Sequence, residues 1–122
     1  MTWSGGHRSR VDQVCLDIPQ DRYEEECAFW SELTGWPVDD SKAYAEFRRL
    51  RIPDGTLMKV LLQRLDEPTG PVRAHLDLAT DDRPAETARH VELGAAVVDT
   101  RRGWTVLRDP AGTAFCITDR SP

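Results

Sequence analysis

Cysteine is scarce and odd in number: Cys15, Cys27 and Cys116, with no CxxC spacing among them. That pattern excludes a disulfide framework and a sequence-local zinc knuckle, and free thiols in a cytoplasmic protein are expected. Long apolar runs are missing too; nothing approaches the roughly 20 residues that cross a bilayer. The charged, Gly-containing stretch from Met1 to Arg10 has no apolar core after it, so it reads as a short lead-in rather than a secretion signal. There is no block of one charge. Sixteen Lys and Arg are interspersed with 21 Asp and Glu, giving a net charge of -5, and the densest basic spot, Arg48, Arg49 and Arg51, is flanked by Glu46 and Asp54. Neither nucleic acid nor a membrane is an expected partner. The nucleophile elbow GxSxG, the zinc motif HExxH and a phosphate-cradling Gly-rich loop are all absent.

What is there is a repeat. Val14-Cys15-Leu16-Asp17-Ile18 with a later Asp21 is echoed sixty positions on by Ala74-His75-Leu76-Asp77-Leu78 with Asp81. Leu50-Arg51-Ile52-Pro53-Asp54-Gly55-Thr56 is echoed by Leu107-Arg108-Asp109-Pro110-Ala111-Gly112-Thr113, and Leu33-Thr34-Gly35 by Leu93-Gly94. Three echoes in one order point to a duplicated unit. The 122 residues suit a single domain, here residues 11–122 after the lead-in 1–10, with unit one at about 11–67, unit two at about 72–119 and a join near Pro68-Thr69-Gly70-Pro71.

Residues 11–18 alternate apolar and polar and predict a strand. Asp21 is the expected cap of a helix from Tyr23 to Leu33, where Tyr23, Cys27, Phe29 or Trp30, and Leu33 recur at helical spacing and Gly35 ends the run. Strands are expected near 36–40, 43–51 and 56–65. The second half predicts a strand at 72–79 and a helix capped by Asp81 or Asp82, with Pro84 in its first turn. Its apolar side is read as Ala85, Ala88, Val91 and Leu93, and Gly94 ends it. Strands follow near 95–99, 102–108 and 113–118. Glu86 and His90 are an i, i+4 pair on this helix, read as part of its solvated face. Cys27 is expected to be a buried, inert thiol. Trp30 and Trp36 are expected in the core, and Trp3 falls in the lead-in.

The ordered set Phe29-Trp30-x-x-Leu33-x-Gly35-Trp36, Leu61-Leu62-Gln63-Arg64, His75-Leu76-Asp77-Leu78, Leu93-Gly94-Ala95 and Trp104-x-Val106-Leu107-x-Asp109-Pro110-x-Gly112-x-x-Phe115-Cys116 resembles the vicinal oxygen chelate superfamily, in its small glyoxalase-like branch. The resemblance implies an α+β fold: two βαβββ units pairing into a curled, mostly antiparallel eight-stranded sheet around a cavity, helices outside. It also implies a homodimer. Catalytic relatives hold a divalent metal with side chains from the first and last strands of each unit, usually His and Glu. Carried across, those positions are Cys15, Gln63 (chosen over Lys59 and Leu61), His75 and Cys116, and none of the four is a carboxylate.

Two readings of these four residues stay open. They could bind a soft or borderline metal such as zinc, or the thiols could line a cavity as small apolar groups with His75 neutral and hydrogen-bonded; the second is preferred, with no cofactor required. Trp104 lies where it could stack on a flat ligand or pack in the core. Asp17 and Asp77 share the strand faces of Cys15 and His75, and could serve as acid and base or, as preferred, bond a backbone amide or an Arg such as Arg73 or Arg108. The expected function is a small-molecule-binding protein of the drug-sequestering kind, enclosing an apolar or aromatic ligand with Cys15, Gln63, His75, Trp104 and Cys116. The alternative is a lyase, isomerase or dioxygenase-type enzyme with an atypical metal site or a metal-free His75 acid/base.

Overall fold

The computed structural model describes residues 6–122; Trp3 and the start of the lead-in lie outside them. The protein is α+β, with two helices and eight strands of mixed sense. Its strands and helices fall into two compact units: Gln13–Ala74, and the residues up to Asp12 together with His75–Pro122. Among the described residues no helix is long and apolar enough to cross a membrane.

The first unit runs strand, helix, strand, strand, strand: β1 (Ser9–Ile18), a 3-10 turn (Gln20–Arg22), α1 (Tyr23–Thr34), β2 (Val38–Asp40), β3 (Phe47–Leu50) and β4 (Lys59–Arg64). β1 starts two residues ahead of the expected strand, and its first four residues belong to the second unit. The strand order is β2-β3-β4-β1, antiparallel except for the parallel pair β1–β4. Ile18, Tyr23, Cys27, Leu50 and Leu62 form the core, with Leu16, Trp30, Trp36, Val38, Ile52 and Val60 packed on it. Tyr23 and Cys27, one helical turn apart, are the buried residues of α1. Each buried aliphatic side chain of this core, Ile18, Leu50 and Leu62, contributes about 1.5–3 kcal/mol. Tyr23 also donates its hydroxyl to the Leu62 carbonyl at 2.8 Å, which keeps the phenol satisfied inside. Burial pushes the Cys27 thiol up, as suits an inert cysteine. Gly35 stops the helix with a φ of 76°, its N–H bonded to the Ser31 carbonyl.

Asp21 is not the cap expected of it. The 3-10 turn runs straight into α1, the cap position falls to Arg22, and neither start carries a side-chain cap. Asp21 instead sits inside the turn and gives its backbone N–H to the Pro68 carbonyl.

The second unit contains β5 (Arg73–Thr80, its first two residues belonging to the first unit), α2 (Arg83–Glu92), β6 (Ala96–Thr100), β7 (Trp104–Arg108) and β8 (Ala114–Thr118), in the order β5-β8-β7-β6. β5 and β8 are parallel, the other pairs antiparallel, with a bulge between Val97 and Asp99. Of the two acids offered as caps, Asp82 takes the role, accepting the Ala85 N–H at 3.1 Å, with Pro84 in the first turn.

The face that α2 buries corrects the sequence reading. Glu86 and His90 are its buried residues, while Val91 and Leu93 are 47% and 69% exposed. The carboxylate is satisfied from every side. His7 and His90 reach it through Nε2 at 2.9 and 2.7 Å, and Arg89 donates two bonds of 2.8 and 2.9 Å. Burial alone would raise the Glu86 pKa, but Arg89, His7, Ser9 and His90 overcome it and hold it at about 2. A second buried carboxylate, Asp12, is gripped by Arg120 through bonds of 2.6 and 2.9 Å.

Candidate functional site

The five residues singled out from sequence fall into two groups, one per unit. In the first unit Cys15 is fully buried on β1, its Sγ 3.6 Å from Asp17 Oδ1 and 3.8 Å from Gln63 Oε1. Gln63 stands opposite Asp17 in the parallel β1–β4 pair. In the second unit Cys116 stands opposite Asp77 in the parallel β5–β8 pair. Asp17 and Asp77 are repeat equivalents, so Gln63 and Cys116 occupy the same place in their respective units.

His75, Trp104 and Cys116 share one face of the second unit's strands. Thr105 accepts a hydrogen bond from Arg83 of α2, and the Phe115 ring lies 5.7 Å from that of His90. Thr105 and Phe115 therefore point toward the helix, and their neighbours Trp104, Val106 and Cys116 point away from it. Val106 pairs with Cys116, and Trp104 with Thr118. Asp77 shares the face of Cys116, and His75, two residues back, shares it too.

On this face His75 Nε2 lies 3.1 Å from Asp77 Oδ1, with both side chains largely buried. One ligand atom each from His75, Asp77 and Cys116 come within 4.8 Å of one another. An imidazole, a carboxylate and a thiol converge from two adjacent parallel strands.

Asp77 supplies the carboxylate that the four carried-over positions lack. The arrangement rests on a spacing visible in the sequence: His75-x-Asp77 on a strand sends both side chains to one side. Of the Arg partners offered for the repeated acids, Arg73 feels the charge of Asp17. Arg73 donates to Glu67 at 2.7 Å, and Arg108 to the Gly112 carbonyl at 2.8 Å.

The chain belongs to the vicinal oxygen chelate superfamily. Within it the protein is a member of the glyoxalase-like domain family, which matches residues 13–118. No curated protein sequence matches the chain. Among solved structures, a variant of Streptomyces coelicolor methylmalonyl-CoA epimerase in complex with 2-nitronate-propionyl-CoA is similar at TM-score 0.64 and 18% identity, over 93% of this chain and 98% of that one. The methylmalonyl-CoA epimerase of Mycobacterium tuberculosis is similar at TM-score 0.62 and 16% identity, over 92% and 88%. A hypothetical protein of Bacillus halodurans is similar at 0.61 and 11%, over 93% and 96%. At these identities the likeness is one of fold.

Proposed function

We propose that this chain is an enzyme of the glyoxalase-like kind, acting as a lyase or isomerase on a small molecule at the His75–Asp77–Cys116 cluster. The observation that carries the reading is the convergence of three different donor types within 4.8 Å on one strand face. Their chemistry fits a zinc-type divalent ion: nitrogen, oxygen and sulfur donors suit zinc or cobalt, whereas magnesium prefers oxygen alone. Bound there, such an ion would supply Lewis-acid polarisation of neighbouring oxygens on a substrate. His75, Asp77 and Cys116 would hold it. Asp77 Oδ1 and His75 Nε2 stand 3.1 Å apart, so both donors face the same point. Trp104 and Val106, on the same face, offer an aromatic and aliphatic wall for the substrate body. The epimerases similar in fold carry out, by their name, an inversion at a stereocentre, a reaction of the isomerase class.

Enclosure of an aromatic ligand without chemistry is the second reading, and Trp104 on the site face favours it. Thermal unfolding of reduced, chelator-stripped protein separates the two. An ion that binds the folded state at 100 times its Kd stabilises by about 2.7 kcal/mol. The enzyme reading expects such a rise with zinc or cobalt and its loss in His75→Ala and Cys116→Ser. No rise with any divalent metal favours plain binding.

A further inference from the structure

We infer that the substrate carries an anionic group, a carboxylate or phosphate, and that Arg108 binds it; this rests on the reading of the His75–Asp77–Cys116 face as the site. Arg108 ends β7 on the same face as Trp104 and Val106. Both of its cross-strand neighbours are alanines, Ala96 on β6 and Ala114 on β8. Asp77 faces Cys116 in the parallel pair. Two residues back on both strands, His75 comes level with Ala114. Arg108 and His75 therefore flank Ala114 from the strands on either side of it, about 10 Å apart at the backbone. Neither alanine carries a side chain beyond Cβ, so none of their atoms reaches between the longer side chains of Arg108 and His75.

The charge pattern points to the kind of group Arg108 suits. In this acidic chain most arginines of the second unit already hold a carboxylate: Arg8 with Asp81, Arg83 with Asp119, Arg89 with Glu86, Arg101 with Asp99 and Arg120 with Asp12. Arg108 has no carboxylate within ion-pair distance among the described residues. Its Nη1 donates to the Gly112 carbonyl, which steadies the guanidinium and leaves its remaining N–H groups for a forked acceptor. An anion seated over Ala114 would meet Arg108 on one side and present its adjoining carbon to the His75–Asp77–Cys116 cluster on the other.

The test uses three matched probes, phenylacetate, phenyl phosphate and phenylacetamide, titrated calorimetrically into the full chain. At least one anion should bind roughly ten-fold more tightly than the amide, as a charge-assisted pair predicts. The tighter of the two identifies the anion class. That preference should disappear in Arg108→Gln, weaken with added salt, and persist in Arg102→Gln, a neighbouring exposed arginine. Equal binding of amide and anions, no binding of any probe, or a preference that survives Arg108→Gln would overturn the inference. His75→Ala separates this from the proposed function. A preference that depends on Arg108, alongside an unchanged metal response in His75→Ala, sinks the centre and leaves the anion site standing.

Discussion

Replacing Glu86 by alanine should be among the most damaging single changes in the second unit. The side chain is fully buried and accepts hydrogen bonds from two nearly buried imidazoles and, twice, from Arg89. Arg89 is 36% exposed and will be rehydrated when its partner goes, so its share of the loss is small. His7 and His90 lose charge-assisted bonds worth about 1.5–3 kcal/mol each. The total, about 3–6 kcal/mol, is of the size expected for breaking a buried ion pair. For a chain of this size that lowers Tm by roughly 12–24 °C.

The same hydrogen bonds depress the Glu86 pKa, which makes their contribution depend on pH. A fall from an ordinary 4.5 to about 2 corresponds to roughly 3 kcal/mol of stabilisation by the ionised form. Because the folded-state pKa is depressed, this stabilisation is present above pH 4.5 and is lost as the pH falls through about 2. Urea denaturation of wild type and Glu86→Ala should show the full gap near neutral pH and a shrinking gap between pH 4.5 and 2. A cost below about 1 kcal/mol at neutral pH, or a gap that does not change with acid, would refute the account of α2.

Three further outcomes follow from the same structure. Arg120→Ala leaves the buried Asp12 carboxylate without its bidentate partner and should cost about 3 kcal/mol in urea denaturation, part of it recovered by the double change Asp12→Asn, Arg120→Met. Tyr23→Phe removes the bond to the Leu62 carbonyl at a cost of about 1 kcal/mol. Because burial raises the Tyr23 pKa above 10, its contribution is present below pH 10 and is lost as the pH climbs beyond it, which an alkaline unfolding titration would show as a steeper decline in wild type than in the Phe variant. Asp82→Ala should cost about 1 kcal/mol by removing the cap on the Ala85 N–H, visible as a lowered Tm.

Much of the fold was legible because it is local. Tyr23 and Cys27 at helical spacing, Gly35 and Gly94 as stops, and the turn around Pro110 and Gly112 each act within a few residues. What escaped was non-local. The burial of Glu86 and His90 depends on His7, 79 positions away from Glu86 in the chain, and helical periodicity alone reads such a polar pair as solvated. Asp21 looked like a cap because Asp precedes the helix, but whether an acid caps depends on where the first helical turn begins, and the 3-10 turn moved that point. The site was half legible. The repeat offset related Cys15 to His75 and the resemblance added Gln63 and Cys116, while Asp77 was placed on the face of His75 by its i+2 spacing but weighed as an acid, base or structural group and not as a metal ligand.

Titration of reduced, metal-free protein with cobalt(II), followed by absorption, tests the proposed centre most directly. If His75, Asp77 and Cys116 hold a divalent ion, a thiolate-to-cobalt charge-transfer band should rise to one equivalent, vanish in Cys116→Ser, and shift or weaken in Asp77→Asn. A spectrum no different from free cobalt, or a thiolate band that persists in Cys116→Ser, would contradict it.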